Sequence, residues 1–553
     1  MHTSEPLSHF IDEYLEFLYE NAPTAACGDG MHAHDDRLED VSRTAVDTQG
    51  RELGGFARRL DRITTRSLTA EEQLERRMLA DHIRGRLYEL EEVRPWERDP
   101  RHYAELLATS LAGQALFDHA PVEERARRVV SKLRQTPRFL EAAAANVEDP
   151  PGILIKTGAE MFDGVVTFIE RDLPRAFRRL EDLHLLGDLA DAATEATEAI
   201  NRHNDHLRGT LAPRSRATFR LGRERFDGRL RHREGIGLGS EALLAVAERE
   251  LVREQSRFCE VAARIDARAE PADVWRQVRA RHPEPGALVQ TVGDQLSDLV
   301  SFIERNALVT LPDDRSIIVA PTPGFLRWTQ AGVWSPGPFE PKALSCYYYL
   351  TDADAAWPAE RREEHLRDLN FATLWSVSAH EAYPGHYLHS LHQRGIRSKL
   401  RKSLLFAPVS FVEGWAHYAE HMVMEAGLAR DDDAIGLGQI VERLLRLARL
   451  VVGIRLHADD LSVEQGVRFF REEAYLEEGS ARREAERGTF DPDYTLYSVG
   501  RLMLSKLRDD FEAREGSAFS LKSFHDRLLG HGSVPLWLHR TLFLGDTGDD
   551  LLD

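Results

Sequence analysis

Cysteine is scarce in this chain of 553 residues: three occur, Cys27, Cys259 and Cys346, far apart and in no paired spacing. Neither a disulfide framework nor a thiolate zinc site is indicated, so any bound metal is expected to use histidine and carboxylate ligands. No apolar run approaches the length needed to cross a bilayer, and no membrane span is expected. Positive charge is in the minority. Against 92 Asp and Glu stand 72 Lys and Arg, and the resulting net charge of -20 would repel a phosphate backbone, which argues against a nucleic-acid partner. The opening MHTSEPLSHFIDEYLEFLYE lacks the basic start, apolar centre and small-residue cleavage site of a secretory signal, so the expectation is a cytoplasmic protein. A Gly-rich phosphate loop, a G-x-S-x-G elbow and a cysteine in a catalytic context are all missing, which leaves nucleotide and covalent-nucleophile chemistry without support.

What is present is the composition of a folded protein, 42% hydrophobic and 30% charged, at a length that implies more than one core. From the start to about Asn306, apolar residues recur at three- and four-residue spacing, as in EEQLERRMLADHIRGRLYELEEV and EALLAVAERELVREQSRFCEVAARI. Turn-rich breaks fall at Asp149 to Gly152, Gly235 to Gly239 and His282 to Gly286. The runs Arg315 to Ala320 (RSIIVA) and Ala343 to Leu350 (ALSCYYYL) are β-branched and aromatic, which predicts a small sheet. The second run could offer an edge to which an extended peptide adds as a strand, with Tyr347 to Tyr349 lining a pocket or packing a core. Helical spacing resumes from His365, and Ser462-Val-Glu-Gln465 carries a capping-box signal. The expected fold is mostly α, large and bilobed, with a small sheet beside a cleft. Residues 1–306 would form a helical N-terminal lobe and 307–553 a part holding the sheet, the site helices and the C-terminal helices, packed as one unit.

The segment His380-Glu-Ala-Tyr-Pro-Gly-His-Tyr-Leu-His389 reads as a stretched HExxH. In that motif two His four apart on one helix face bind Zn²⁺ and the Glu beside the first serves as base toward water. Here the two His are six apart, a rotation of roughly 600° on an ideal helix, so an unbroken helix could not chelate through both. Pro384 removes a backbone donor and Gly385 permits unusual dihedrals, so two residues could bulge out and return His386 to the position of the second ligand. A rival chelate pairs His386 with His389 at i,i+3. The bland reading is a surface helix ending at a Pro-Gly turn. A third ligand is available in FVEGWAHYAE, where Phe411, Trp415, Tyr418 and Met422 share one helix face and Glu413, His417 and Glu420 the other. A solvated face and a face lining a wet cleft would show the same pattern.

Together the motifs HEAYPGHYLH, FVEGWAHYAE, YYYLTDADAAWPAERREEHLRDLN, LYSVGRLMLSKLRDDF and SFHDRLLGHGSVPL, spread over Arg315 to Leu536, resemble the bacterial family known as domain of unknown function 885, whose members look like relatives of helical zinc peptidases. The resemblance implies one Zn²⁺ per chain held by His380, His386 and Glu413, with Glu381 as general base and Glu420 orienting a ligand. At the end of the first motif His389 stands where the family pattern has Gln, which keeps the His386/His389 chelate in play. Helical peptidases such as angiotensin-converting enzyme and neurolysin place a Tyr downstream to stabilise the oxyanion. Tyr497 is the candidate here, Arg501 one turn on could bind a substrate carboxylate, and His457 lies in a stretch associated with the family. The expected function is a zinc-dependent hydrolase of short peptides. The alternatives are a metal-dependent hydrolase of a small amide, ester or isopeptide-type metabolite, and a helical binding protein whose metal site is degenerate.

Overall fold

The computed structural model describes residues 5–313, 315–323, 329–545 and 552. Helices dominate it, and from Glu5 to Arg305 they follow one another without a strand. The expected breaks fall between helices ending at Asn146, Arg233 and Arg279 and those starting at Gly152, Ser240 and Leu288. The capping box at Ser462 forms as its sequence predicts, with Gln465 Oε1 accepting from the Ser462 N–H and the Ser462 hydroxyl accepting from the Gln465 N–H.

The sheet has three strands, β1 (Ile317–Pro321), β2 (Ala331–Trp334) and β3 (Cys346–Leu350), in the order β1-β3-β2, with β1 parallel and β2 antiparallel to β3. Strand β2 is a single short run, Ala-Gly-Val-Trp, too brief to stand out from its Pro- and Gly-rich surroundings. Because β3 lies in the middle, with Tyr348 facing Val319 on one side and Val333 on the other, it has no free edge. The expectation that an incoming peptide pairs with this strand is therefore corrected. Its aromatic run packs into the core, where Tyr348 and Tyr349 are buried. The sheet rests on two helices: β1 packs on Leu288–Arg305 and β2 on Phe371–Glu381.

The buried clusters do not divide at residue 306. One core lies wholly between Leu38 and Leu211. The core under the sheet joins Phe226 to Val309 with Cys346 to Phe543, and another joins Leu251 to Val278 with Ala372 to Tyr494. A further cluster brings the first helix, at Leu7 to Tyr19, onto Leu400, Phe406 and Trp537.

The helices Val409–Glu425 and Leu496–Glu515 cross in close contact, and the crossing runs through two glycines. A Cβ on Gly500 would lie 1.8 Å from the Ser410 carbonyl oxygen, and one on Gly414 would lie 2.7 Å from the Gly500 Cα. Only hydrogen at both positions lets the backbones meet, and that contact brings Glu413 and Tyr497 to the same side of the molecule. Gly500→Ala is expected to destabilise the fold by about 1–3 kcal/mol through forced separation of the two helices, read as a lower midpoint in denaturant with an unchanged slope.

Candidate metal centre

The helix Phe371–Glu381 is capped by Asn370, whose side chain accepts from the N–H groups of Ala372 and Thr373, and it carries His380 and Glu381 in its last turn. It does not bulge and continue, as the sequence reading expected. It stops, passes through a cis Tyr383–Pro384 bond, and a separate helix, His386–Arg394, begins with the second histidine. The reason lies in the backbone. Pro384 has no N–H to offer the His380 carbonyl, and Gly385 packs so tightly against that carbonyl that a Cβ would sit 1.8 Å from its oxygen. The break is closed by Leu388 N–H donating to the Ala382 carbonyl (3.2 Å) and by the indole N–H of Trp415 donating to the Pro384 carbonyl (3.0 Å). Two histidines six residues apart thus come together as the last turn of one helix and the first of the next.

Their rings stand perpendicular with centroids 4.7 Å apart. Glu413, from Val409–Glu425, completes the group. Its Oε2 lies 3.4 Å from His380 Nε2 and 3.3 Å from His386 Nε2, and the three candidate ligand atoms lie within 4.8 Å of one another. That oxygen is buried and has no hydrogen-bond partner. Three lone-pair donors converging on one point, one of them an orphaned carboxylate oxygen, fit a divalent cation with nitrogen and oxygen ligands. Burial pulls the His380 imidazole down, but the carboxylates of Glu413 and Glu420 outweigh it and raise its pKa to about 9. A proton thus takes the place the geometry offers a cation. Burial pushes the Glu413 carboxyl up, yet the two histidines hold it well below the ordinary carboxylate range.

Behind the ligands lies a buried charge network. Glu420 Oε1 accepts from His380 Nδ1 at 2.8 Å, which fixes the tautomer and leaves Nε2 free to face Glu413. Glu420 also accepts from the Ser376 hydroxyl (2.7 Å) and pairs with Arg446 (3.0 Å), with His417 Nδ1 at 3.4 Å. Burial works against the Glu420 charge, and Arg446 with His417 keeps it ionised. The polar face of this helix is therefore not solvated: His417 and Glu420 are fully buried.

Glu381 is half-buried, and its carboxylate makes no hydrogen bond or ion pair with another described residue. It lies near β3, where its charge raises the pKa values of Cys346 and Tyr348 on top of their burial. The Tyr497 ring lies parallel to His380, centroids 6.1 Å apart, and its hydroxyl is 3.5 Å from Arg487 Nη2. Burial, with Glu413 adding to it, pushes that hydroxyl up to about 12, so it remains a proton donor at neutral pH.

Three further residues that the sequence offered, one of them as a rival ligand, stand apart from this group. His389 does not join the ligand group: its Nε2 meets the Ser533 hydroxyl at 2.9 Å, its ring packs edge-on against Phe411, and burial pulls its pKa down to about 3. Arg501 is no open clamp for a substrate carboxylate. It is buried among Arg443 and Glu254, its Nε and Nη2 have no partners, and burial pulls its pKa down to about 10. His457 is structural, with Nε2 on the Gly488 carbonyl (2.8 Å) and Nδ1 accepting from the Leu221 N–H. The sequence reading missed Arg446 and Arg449. The signal was available: Arg443, Arg446 and Arg449 recur every three residues among the apolar residues of the helix Asp433–Ala458, where each would be costly to bury without a partner.

The model of a family described as "Bacterial protein of unknown function (DUF885)" matches residues 23–541. Two solved structures share the fold. One is of a protein of unknown function from Shewanella oneidensis, described as a candidate lipoprotein, at 22% identity and TM-score 0.80, with 97% of this chain and 99% of that one covered. The other, a candidate lipoprotein from Colwellia psychrerythraea, has 17% identity and TM-score 0.81, with 97% and 98% covered. Comparison with curated proteins finds no match.

Removing the cation that neutralises Glu420 is expected to be far more damaging than its size suggests. Arg446→Met, with Glu420 left in place, is expected to cost about 3–5 kcal/mol, measured by denaturant unfolding, whereas Arg446→Met with Glu420→Gln and His417→Leu should recover much of that loss. A second expectation concerns acid. Burial holds His389 and His531 neutral down to about pH 3 and His457 and His525 down to about pH 4. The unfolded chain protonates its histidines near about pH 6.5 and so binds more protons throughout that window. The stability that these four histidines contribute is therefore full above about pH 6.5 and is lost as the pH is lowered toward 3. His457→Gln should flatten the slope of unfolding free energy against pH by about one proton in this range.

Proposed function

Because the chain belongs to the DUF885 family, whose description assigns no activity, we propose its function from the chemistry of the site: a zinc-dependent hydrolase that cleaves amide bonds in short peptides. The observation that carries this reading is the Glu413 Oε2, buried and without a hydrogen-bond partner, faced at 3.3 and 3.4 Å by two imidazole nitrogens. Two His and one Glu, three protein ligands rather than four, is the donor set of hydrolytic rather than structural zinc. Zn²⁺ held there would supply Lewis-acid activation of a water molecule and of the scissile carbonyl.

The chain's own residues divide the remaining work. Glu381, adjacent in sequence to a ligand and without a hydrogen bond or ion pair among the described residues, takes a proton from the attacking water and returns it to the leaving amine. The Tyr497 hydroxyl, protonated at neutral pH, donates to the developing oxyanion. Glu420 holds the His380 ring in the tautomer that presents Nε2. Substrates are short because His380 is 4% exposed: a flexible peptide can reach ligands below the surface, and a folded protein cannot.

Metal analysis of the purified chain, its His380→Ala, His386→Ala, His389→Ala and Glu413→Ala variants, and Glu381→Gln tests the reading. The His380, His386 and Glu413 variants are expected to lose one zinc per chain relative to the parent, and His389→Ala to lose none. Glu381→Gln should keep its zinc and lower turnover of a peptide mixture by about 10²–10⁴-fold. A parent that carries no ion lost in His386→Ala would end the proposal.

A further inference from the structure

A second group of ligand-bearing side chains lies far from His380 in sequence, at the end of the short helix Pro23–Asp29. The chain turns at Gly30 and folds back, so that His32 and Asp35 come over Cys27. The Cys27 sulfur, a nitrogen of His32 and a carboxylate oxygen of Asp35 lie within 4.8 Å of one another. Cys27 and His32 are half-buried, and Asp35 is 1% exposed.

The surroundings assign a role to each atom. His32 Nε2 is 3.0 Å from Glu340 Oε1 and Nδ1 is 2.8 Å from Asp35 Oδ2, so with no ion bound the imidazole donates to a carboxylate from each nitrogen, and Glu340 keeps the Nε2 proton when Nδ1 is given to a metal. This is the carboxylate–histidine arrangement that fixes the tautomer of a metal-binding imidazole. Asp35 Oδ2 is gripped from outside by the Gln114 amide (2.8 Å) and the Arg128 guanidinium (2.9 Å), with His119 Nε2 at 3.4 Å. Its other oxygen, Oδ1, is buried with no hydrogen-bond partner. Gln114 also donates to the Cys27 sulfur at 3.3 Å, and a Cβ on Gly113 would crowd that sulfur at 3.2 Å, so the residue beside it leaves room. His119 stacks flat on His32, centroids 4.2 Å apart, walling one side.

We infer that Cys27, His32 and Asp35 form a second binding site for a divalent metal ion of the zinc class, held by Cys27 Sγ, His32 Nδ1 and Asp35 Oδ1, with Glu340, Gln114 and Arg128 orienting the ligands. Sulfur, nitrogen and carboxylate oxygen together select a borderline ion such as Zn²⁺ over Mg²⁺ or Ca²⁺. Thiolate and carboxylate balance the two positive charges, and Glu340 balances Arg128. Binding replaces two protons, one from the Cys27 thiol and one from His32 Nδ1, and both leave to solvent; burial otherwise keeps that thiol protonated. The ion would staple the N-terminal segment to the loop that leads into β3, where the Phe339 N–H already donates to the Asp29 carbonyl at 2.9 Å. The sparse cysteines gave no hint of this, because the residues that orient the ligands, Gln114 and Arg128, come from helices 79 and 93 residues beyond Asp35.

Cobalt distinguishes the two sites, because thiolate ligation gives Co²⁺ an intense near-ultraviolet charge-transfer band and the His380 group has no sulfur. The full-length chain, stripped by a chelator and checked for retained helicity, is titrated with Co²⁺ alone. The expected result is a thiolate band that saturates at one ion per chain, persists in His386→Ala and Cys259→Ser, and vanishes in Cys27→Ser. Should Cys27→Ser fail to fold, the parent still decides: bound metal is expected to protect Cys27 from alkylation at least tenfold, located by peptide mass. No thiolate band in the parent, a band that survives Cys27→Ser, or alkylation of Cys27 unaffected by metal would each overturn the inference. Loss of the first site in His386→Ala leaves this band untouched, so the two metal readings fail independently.

Discussion

A carboxylate sealed from water has to be answered by protein groups, and at Glu420 the answer comes from three helices. Ser376 and His380 reach it from Phe371–Glu381, His417 from its own helix, and Arg446 from Asp433–Ala458. Leaving such a charge unpaired costs several kcal/mol, more than any one of these contacts returns on its own, so rotation or sliding of any of the three helices is resisted by the whole set. One consequence is directional. With Nδ1 committed to Glu420, His380 can present only Nε2 to Glu413, and the group can converge on a single point rather than sampling several.

That network fixes His380 and the Glu413 helix, but His386 arrives by a different constraint. Here the backbone decides. Pro384 ends one helix, and Gly385 lets the next begin so close to the His380 carbonyl that any side chain would be excluded. The Gly414–Gly500 crossing acts in the same sense on the far side, drawing the Leu496–Glu515 helix in until Tyr497 lies parallel to the His380 ring. Polar pairing sets the orientation of the ligands, and glycine sets how near their helices come. Neither alone would bring three donor atoms within one coordination sphere.

Much of this was legible in the sequence, and the unread parts share a cause. Helix periodicity, the capping box at Ser462 and the β-branched runs at Arg315 and Ala343 are local signals, and the elements they predict are present. The grouping of His380, His386 and Glu413 was also legible, because the Pro-Gly insert explained why six residues could do the work of four. What stayed hidden is non-local. A Pro-Gly step reads the same whether a helix bulges or ends, and the contacts that close the break, among them the Trp415 indole on the Pro384 carbonyl, come from packing. A strand's composition tells that it is buried but not that it is central, so β3 was taken for an edge. A polar stripe such as Glu413, His417 and Glu420 looks solvated until the arginine that covers it is placed, and Arg446 belongs to a later helix. Arg501 and His457 sit near the motifs in sequence, yet their surroundings belong to the interior.

The position of β3 also bears on how a substrate could be held under the proposed reading. With both of its edges taken by β1 and β2, main-chain pairing beside the site is not available from that strand, and recognition falls to side chains. The candidates nearest the ligands are Tyr497 and the two arginines whose guanidinium groups lie over its ring, Arg449 at 5.4 Å and Arg487 at 5.9 Å. Each is already answered: Arg449 by both oxygens of Glu484, Arg487 by Asp491. The charges around Tyr497 are therefore nearly balanced rather than strongly positive. A rim of this kind neither demands nor repels a charged group on the substrate, and it leaves the Tyr497 hydroxyl proton available beside the candidate ligands. Selectivity would then rest on geometry at the scissile bond more than on electrostatic capture of a peptide terminus.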